Sequence, residues 1–390
     1  MPWRERSPVE LRVEFIREYR SGLWSMTELT AHYGISRKTG YKWVERAATG
    51  GVAALLDQSR RPQTQPTATE QAVVAALVAI RRRHPRWGAK KLLAVAHRQD
   101  PSAAWPRRST VCDVLRREGL IVPRPRRPRV PHGGHTLSPI TAANDTWTTD
   151  FKGEFRTGDR RYCYPLTLRD GFSRYVLRCD ALLSRSYALT RRGFERSFAE
   201  FGLPVRIRSD NGGPFAGPGL GRLSRLNVWW MRLGIIPERI GLGRPEQNGS
   251  HEQFHRVLKA ETTRPPAATA GGQQHRFRAF CREYNEVRPH ESLQDQPPAL
   301  HYQASPRALP PRLPPIEYPG HVEVRRVSSA GCISWRGTPI FLTEVLDGEH
   351  VALEEVADGW WTLSFASVRL GRLDERTRTI TALSPPAVVS

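Results

Sequence analysis

Cysteine, lysine and long apolar runs are scarce in this chain of 390 residues. The five cysteines (Cys112, Cys163, Cys179, Cys281 and Cys332) stand apart, with no C-x-x-C pair. That excludes the common zinc spacings and a disulfide framework, and it fits a reducing cytoplasm. The longest apolar run, Ala72 to Ile80, is far too short to cross a bilayer. The N-terminal Met-Pro-Trp-Arg-Glu-Arg is charged and has no apolar stretch, so no signal peptide is expected. No internal repeat stands out.

Acidic residues are also in deficit. Sixty Lys+Arg face 38 Asp+Glu, a net charge of +22, which argues for a polyanionic partner. Only six of the cations are lysine. Arginine suits bidentate phosphate and guanine contacts, although a G+C-rich coding sequence would give the same bias. The hydrophobic content of 39% suffices for globular cores, and the length suggests two to four domains.

The first segment, 1–56, reads as helices. Val9, Val13, Ile16 and Tyr19 recur at helical spacing. A short helix over about Met26–His32 then meets a turn at Gly34, and a second helix starts at Ser36 as N-cap. This is a helix-turn-helix pattern, with Arg37, Lys38, Tyr41 and Lys42 on the helix that would face a DNA groove; an ordinary αα-hairpin is the alternative. Residues 57–69 read as a basic, Pro-containing linker. Residues 70–122 form a second helical unit, with Ser109 as the cap of its last helix and either DNA contact or spacing as its role. Residues 123–142 are a basic Pro-rich linker. In it Arg124, Arg126 and Arg127 sit in a stretch that cannot be helical and that either is solvated or lies along DNA.

From 143 the pattern becomes strands, helix, strand, helix, helix, which suggests a mixed α/β sheet flanked by helices. Residues 303–319 are a Pro-rich linker. From 320 to 390 short alternating strands, the last of them Trp360–Phe365, predict a small all-β barrel, with Trp335, Trp360 and Trp361 packing its core or stacking on bases.

Three acids carry the chemistry: Asp150 in W-T-T-D-F-K-G, Asp210 in R-S-D-N-G-G-P-F and Glu252 in E-Q-N-G-S-H-E-Q-F-H-R. Two strand aspartates and a helix glutamate suit Mg²⁺, which takes one or two carboxylates and fills its octahedron with water and phosphate. Two such ions can activate an attacking oxygen and stabilise a leaving one. Glu246 competes with Glu252 for the third place; 35 residues separate it from Asp210, against 41 for Glu252. Pro245 and Asn248-Gly249 put Glu246 in a loop, whereas Ser250-x-x-Gln253 reads as a capping box opening a helix. On that helix Phe254, Val257 and Leu258 form the buried face, and Glu252, Arg256 and Lys259 fall within roughly 60° of one another opposite it. His251 and His255 are expected as exposed polar positions, with phosphate contact as the alternative.

With W-T-T-D-F-K-G, L-T-L-R-D-G-F-S-R-Y, I-R-S-D-N-G-G-P-F, L-G-I-I-P, R-P-E-Q-N-G-S-H-E-Q-F-H-R-V-L-K and Y-N-E-V-R-P-H-E-S-L together, residues 143–302 resemble the integrase catalytic core of DDE transposases. Bacterial insertion-sequence transposases with an N-terminal helix-turn-helix are the nearer kin, retroviral integrases the more distant. The resemblance implies an RNase H-like fold and Mg²⁺ or Mn²⁺, as two ions. It implies DNA-end cleavage followed by strand transfer from a 3′-hydroxyl, in the bacterial cytoplasm at the nucleoid. Aligned by motif, its metal-binding acids are Asp150, Asp210 and Glu252. Element ends and target DNA are the implied partners, with at least a dimer on DNA and no membrane. A catalytically inactive DNA-binding repressor and a nuclease that cuts without joining remain as competing functions.

Overall fold

The computed structural model describes residues 7–58, 68–121, 137–217, 219–241 and 249–388. It divides into two compact units, Met1–Glu70 and Gln71–Ser390.

Serine caps build the first unit. Ser7 and Ser25 form capping boxes with Glu10 and Glu28 at the starts of α1 (Pro8–Ser21) and α2 (Met26–His32). Ser36 accepts from the Thr39 amide at the start of α3 (Arg37–Gly50). Phe15, Ile16, Met26, Leu29, Ala47 and Leu55 form the core. A Cβ at Gly40 would lie 2.7 Å from Thr30 Cγ2, so glycine is what lets α2 and α3 cross this closely.

In the second unit α4 (Gln71–Arg83), α5 (Ala89–Gln99) and α6 (Arg108–Arg117) pack around Leu77, Trp87, Leu92, Val111 and Leu115. Ser109 is not the cap: the extended backbone stops at Arg107, the helix starts at Arg108, and Ser109 falls inside the first turn.

A mixed sheet follows. β1 (Thr146–Phe151) pairs antiparallel with β3 (Tyr162–Asp170), which pairs antiparallel with β4 (Val176–Leu182). On its other edge β1 pairs parallel with β5 (Arg206–Ser209), and β5 pairs parallel with β6 (Ile236–Arg239). The short β2 (Phe155–Arg156) extends the β1 edge of β3. Side chains alternate across the sheet. One face, with Trp147, Leu166, Leu168 and Ile207, is covered by α7 (Tyr187–Phe201) and α8 (Arg225–Arg232). The other, with Cys163 and Cys179, is covered by Phe254 and Leu258 of α9 (Gly249–Thr262) and by Phe277, Phe280 and Tyr284 of α10 (Ala270–Glu286).

The C-terminal region is all β: β7 (Glu323–Arg326), β8 (Cys332–Trp335), β9 (Thr338–Phe341), β10 (His350–Ala357), β11 (Trp360–Phe365), β12 (Val368–Asp374) and β13 (Thr379–Val388). The expected barrel is not closed. The main sheet runs β13-β12-β11-β10-β7, with β8-β9 as a separate hairpin. Its inner face is sealed by that hairpin and by Val228 and Met231 of α8, so burial needs no pairing of the two edge strands. Trp335 and Trp361 are in this core, whereas Trp360 is 43% exposed.

Candidate active site

Strand register brings two of the three acids together. Thr146, Trp147 and Thr148 pair in parallel with Arg206, Ile207 and Arg208. Carried on two residues, the same offset sets Asp150 level with Asp210, just past the end of β5. Burial, and then the Asp210 charge, push the Asp150 carboxyl up to about 7; Glu252 adds to the same effect. Asp210 is also raised, by burial above all. Its Oδ1 is buried and has no hydrogen-bond partner. Two half-buried carboxyls, both raised and one with an orphaned oxygen, are what a cation would relieve. Glu252, in the first turn of α9, is exposed. Among the described residues no three His, Cys, Asp or Glu side chains are already gathered tightly enough to hold an ion. Glu246 lies outside the described residues.

The histidines beside Glu252 are not surface groups. His251 is 0% and His255 7% exposed, because α9 lays both on the sheet face that carries Thr148 and Asp150 of β1 and Thr167 of β3. Thr167 Oγ1 lies 2.7 Å from His251 Nε2, 2.8 Å from His255 Nε2 and 2.9 Å from the carbonyl oxygen of Asp150. A hydroxyl has one proton and two lone pairs. All three contacts are hydrogen bonds if Thr167 donates to the Asp150 carbonyl and each Nε2–H donates to Thr167. His251 Nδ1 then accepts from the Thr148 hydroxyl at 2.9 Å, and His255 Nδ1 sits 3.7 Å from Asp150 Oδ2. Burial holds both rings neutral, His255 down at about 3. The network ties the helix bearing Glu252 to the strand bearing Asp150.

Ser250 does not cap α9. The helix begins at Gly249, and the Ser250 hydroxyl accepts from Arg169 Nη2 at 2.5 Å and from Arg174. Sequence reasoning passed over Thr167 and Arg169. Their signal was a polar residue at every second position, alternating with Leu166 and Leu168. It also missed Lys152, which burial and the Lys259 charge hold below the usual lysine range, and Arg185, whose charge acts on Asp210.

Of the expected DNA contacts, Arg37, Lys38, Tyr41 and Lys42 are exposed on α3, and Arg256 and Lys259 are exposed on α9. Arg124, Arg126 and Arg127 lie outside the described residues. No helix among the described residues is long and apolar enough to cross a membrane.

Known families match along most of the chain. Residues 11–63 match a helix-turn-helix domain and 39–115 a homeodomain-like domain. Residues 140–245 and 233–298 match the integrase core domain, and 322–381 the C-terminal domain of the IS481 family transposases. An uncharacterized 39.2 kDa protein of insertion element IS476 from Xanthomonas euvesicatoria is 29% identical over 254 residues, 64% of this chain and 69% of that protein. The Gag-Pol polyprotein of avian reticuloendotheliosis virus is 31% identical over 131 residues, 33% of this chain but only 11% of the polyprotein. Among solved structures, a simian T-cell lymphotropic virus intasome chain aligns over 75% of this chain and 97% of its own, at 14% identity and a TM-score of 0.37. The HTLV-2 integrase catalytic core domain aligns over 42% of this chain and 98% of its own, also at 14% identity, with a TM-score of 0.31. Scores this low add no weight to the family matches. With helix-turn-helix, integrase-core and transposase C-terminal matches in that order along it, and an insertion-element relative beside them, the chain belongs to the insertion-sequence transposases.

Proposed function

We propose that this transposase cleaves the DNA ends of its element and joins them to target DNA, with Asp150, Asp210 and Glu252 as the metal-binding acids. The observation that carries the reading is the level placement of Asp150 on β1 and Asp210 just past the end of the neighbouring parallel β5, both with raised carboxyls, beside the helix that bears Glu252. These residues fit one or two Mg²⁺ or Mn²⁺ ions, which when bound supply the charge that activates an attacking oxygen and stabilises a leaving one.

The chain's own share is positioning. β1 and β5 offer two carboxylates from rigid strand ends, and the Thr167–His251–His255 network holds α9 against β1. Lys152, Arg256 and Lys259 offer cations to the DNA backbone nearby. Water adds to phosphorus at the element end and the 3′-oxygen leaves as a hydroxyl. That hydroxyl then attacks a target phosphodiester, exchanging one ester for another. No covalent protein nucleophile is required. We assign DNA binding to 1–56, 70–122 and the 123–142 strap, and catalysis to 143–302. Bringing two ends together calls for at least a dimer.

The test uses labelled duplexes carrying the DNA that flanks this gene, with Mg²⁺ and full-length protein. Wild type and Glu246→Gln should give cleaved ends and strand-transfer products, and Glu252→Gln neither. Loss with Glu246→Gln alone would move the third ligand to the loop. Cleavage without joining would leave a nuclease, and tight binding without product an inactive DNA-binder.

A further inference from the structure

A cavity of about 640 Å³ lies beside the start of α9, away from the acids' own side chains. Lys91 of α5, Arg169 of β3, Arg174, Arg288 and His290 line it, together with Gly249 and Ser250 of the first turn of α9. One carboxylate, Glu291, also reaches the lining, but it is 82% exposed and paired with Lys90 at 3.0 Å. Arg288 is engaged on one side by Glu261, at 3.0 Å.

Among the described residues the cavity lining holds no second carboxylate, although Glu261, Asp295 and Glu291 act on Lys91 from its surroundings. Arg169 is 2% exposed; its Nη groups are on Ser250, and its Nε is buried with no partner. His290 Nε2 is likewise buried and unpartnered. Burial, and next the Arg288 charge, bring Lys91 down to about 8. Buried polar atoms left without a partner are rare in folded proteins, and the Arg169 Nε–H calls for an acceptor. The first-turn amides of a 14-residue helix add further donors that have no partner within the helix.

We propose that this cavity is a phosphate site whose occupant is a backbone phosphate of the DNA strand lying along the acid edge. The choice of DNA over a free anion rests on the function proposed above and on position: Gly249 and Ser250 precede Glu252 by three and two residues in the first turn of the same helix. Glu252 projects from another face of α9, so a strand presented to it would reach the cavity by passing around the N-terminal end of the helix. Lys91 would give the second helical unit, α4–α6, a direct hold on the DNA near the reacting phosphate.

The test measures binding of full-length protein to the flanking-DNA duplex without divalent metal. One backbone phosphate at a time is replaced by a neutral methylphosphonate. For wild type, one position near the cleavage point should weaken binding about tenfold. Lys91→Gln/Arg174→Gln protein should lose a similar factor on unmodified DNA and nothing more at that position. Its salt slope should fall by about one. Lys91→Arg/Arg174→Lys should restore the wild-type pattern, which separates charge loss from misfolding. Independent, additive losses at every position would overturn the proposal. So would thermal stabilisation by inorganic pyrophosphate that needs Lys91 and Arg174 while DNA shows no coupling, since a free anion would then be the occupant. Failure of the proposed function would read differently: wild type would give no products with Mg²⁺ while the methylphosphonate coupling remained.

Discussion

Thr167 uses every hydrogen-bonding capacity of one hydroxyl, joining two buried histidines to the main chain of Asp150. Thr167→Val keeps the shape but leaves two ring N–H groups unsatisfied. The expected loss is on the order of 2–3 kcal/mol, read as a lower denaturant midpoint, with Thr167→Ser close to wild type. An unchanged midpoint for the valine variant would sink the network. His290 offers a titration. Burial, aided by Lys91 and Arg288, holds its ring down at about 3, whereas an unfolded histidine titrates near 6.5. As pH falls, the unfolded chain takes this proton first. The contribution of neutral His290 is therefore fully present above about 6.5 and is lost progressively towards pH 3. Stability measured from pH 7 to pH 4 should fall less steeply for His290→Gln; parallel curves for the two proteins would contradict the assignment.

Among the elements, the turn that closes α7 is tightly constrained. Gly202 has φ +75°, and a Cβ there would lie 2.4 Å from the Ser305 carbonyl oxygen and 2.8 Å from that of Arg307. The Pro-rich segment is strapped down at this point: Ser305 N–H donates to Phe201 O at 2.8 Å and Leu203 N–H to Arg307 O at 2.7 Å. Gly202→Ala combines positive-φ strain with a backbone clash and should destabilise by about 2–4 kcal/mol. Gly320→Ala, where nothing lies within 4 Å, should be near neutral. Equal midpoints for the two variants in urea would show that the strap does not bear on the turn.

On the scale of the molecule, α8 is the joint of the second unit. Leu226, Trp229 and Trp230 enter the core of the mixed sheet, while Val228 and Met231 enter the β core. Arg232 closes the junction on Glu349 at 2.7 Å. Met231→Ala should therefore cost about 2–5 kcal/mol and lower the unfolding of both layers together. The part of the fluorescence change lost on Trp230→Phe and the part lost on Trp335→Phe should follow one transition. Separate transitions, with the mixed sheet unmoved, would contradict a shared core. The surplus of 22 positive charges belongs to this scale too: it draws the whole chain to DNA, and salt should weaken that attraction steeply.

What the sequence determined alone is what a few neighbouring residues encode. Ser36 capped its helix as read, Met26–His32 matched residue for residue, and the W-T-T-D strand carries Asp150 as expected, whereas Asp210 falls one residue past the I-R-S strand. Caps and periodicity act within one or two turns, so they survive any tertiary context. The tertiary structure decided the rest. His251 and His255 sit on a helix that reads as amphipathic with a polar edge; they are buried because Thr148 and Thr167 meet them from strands 103 and 84 residues away along the chain. Ser250 lost its capping role to Arg169, and the β sheet stayed open because α8 covers its face. Pairings over such distances are fixed by the packing of whole layers, and no local pattern of residues records them.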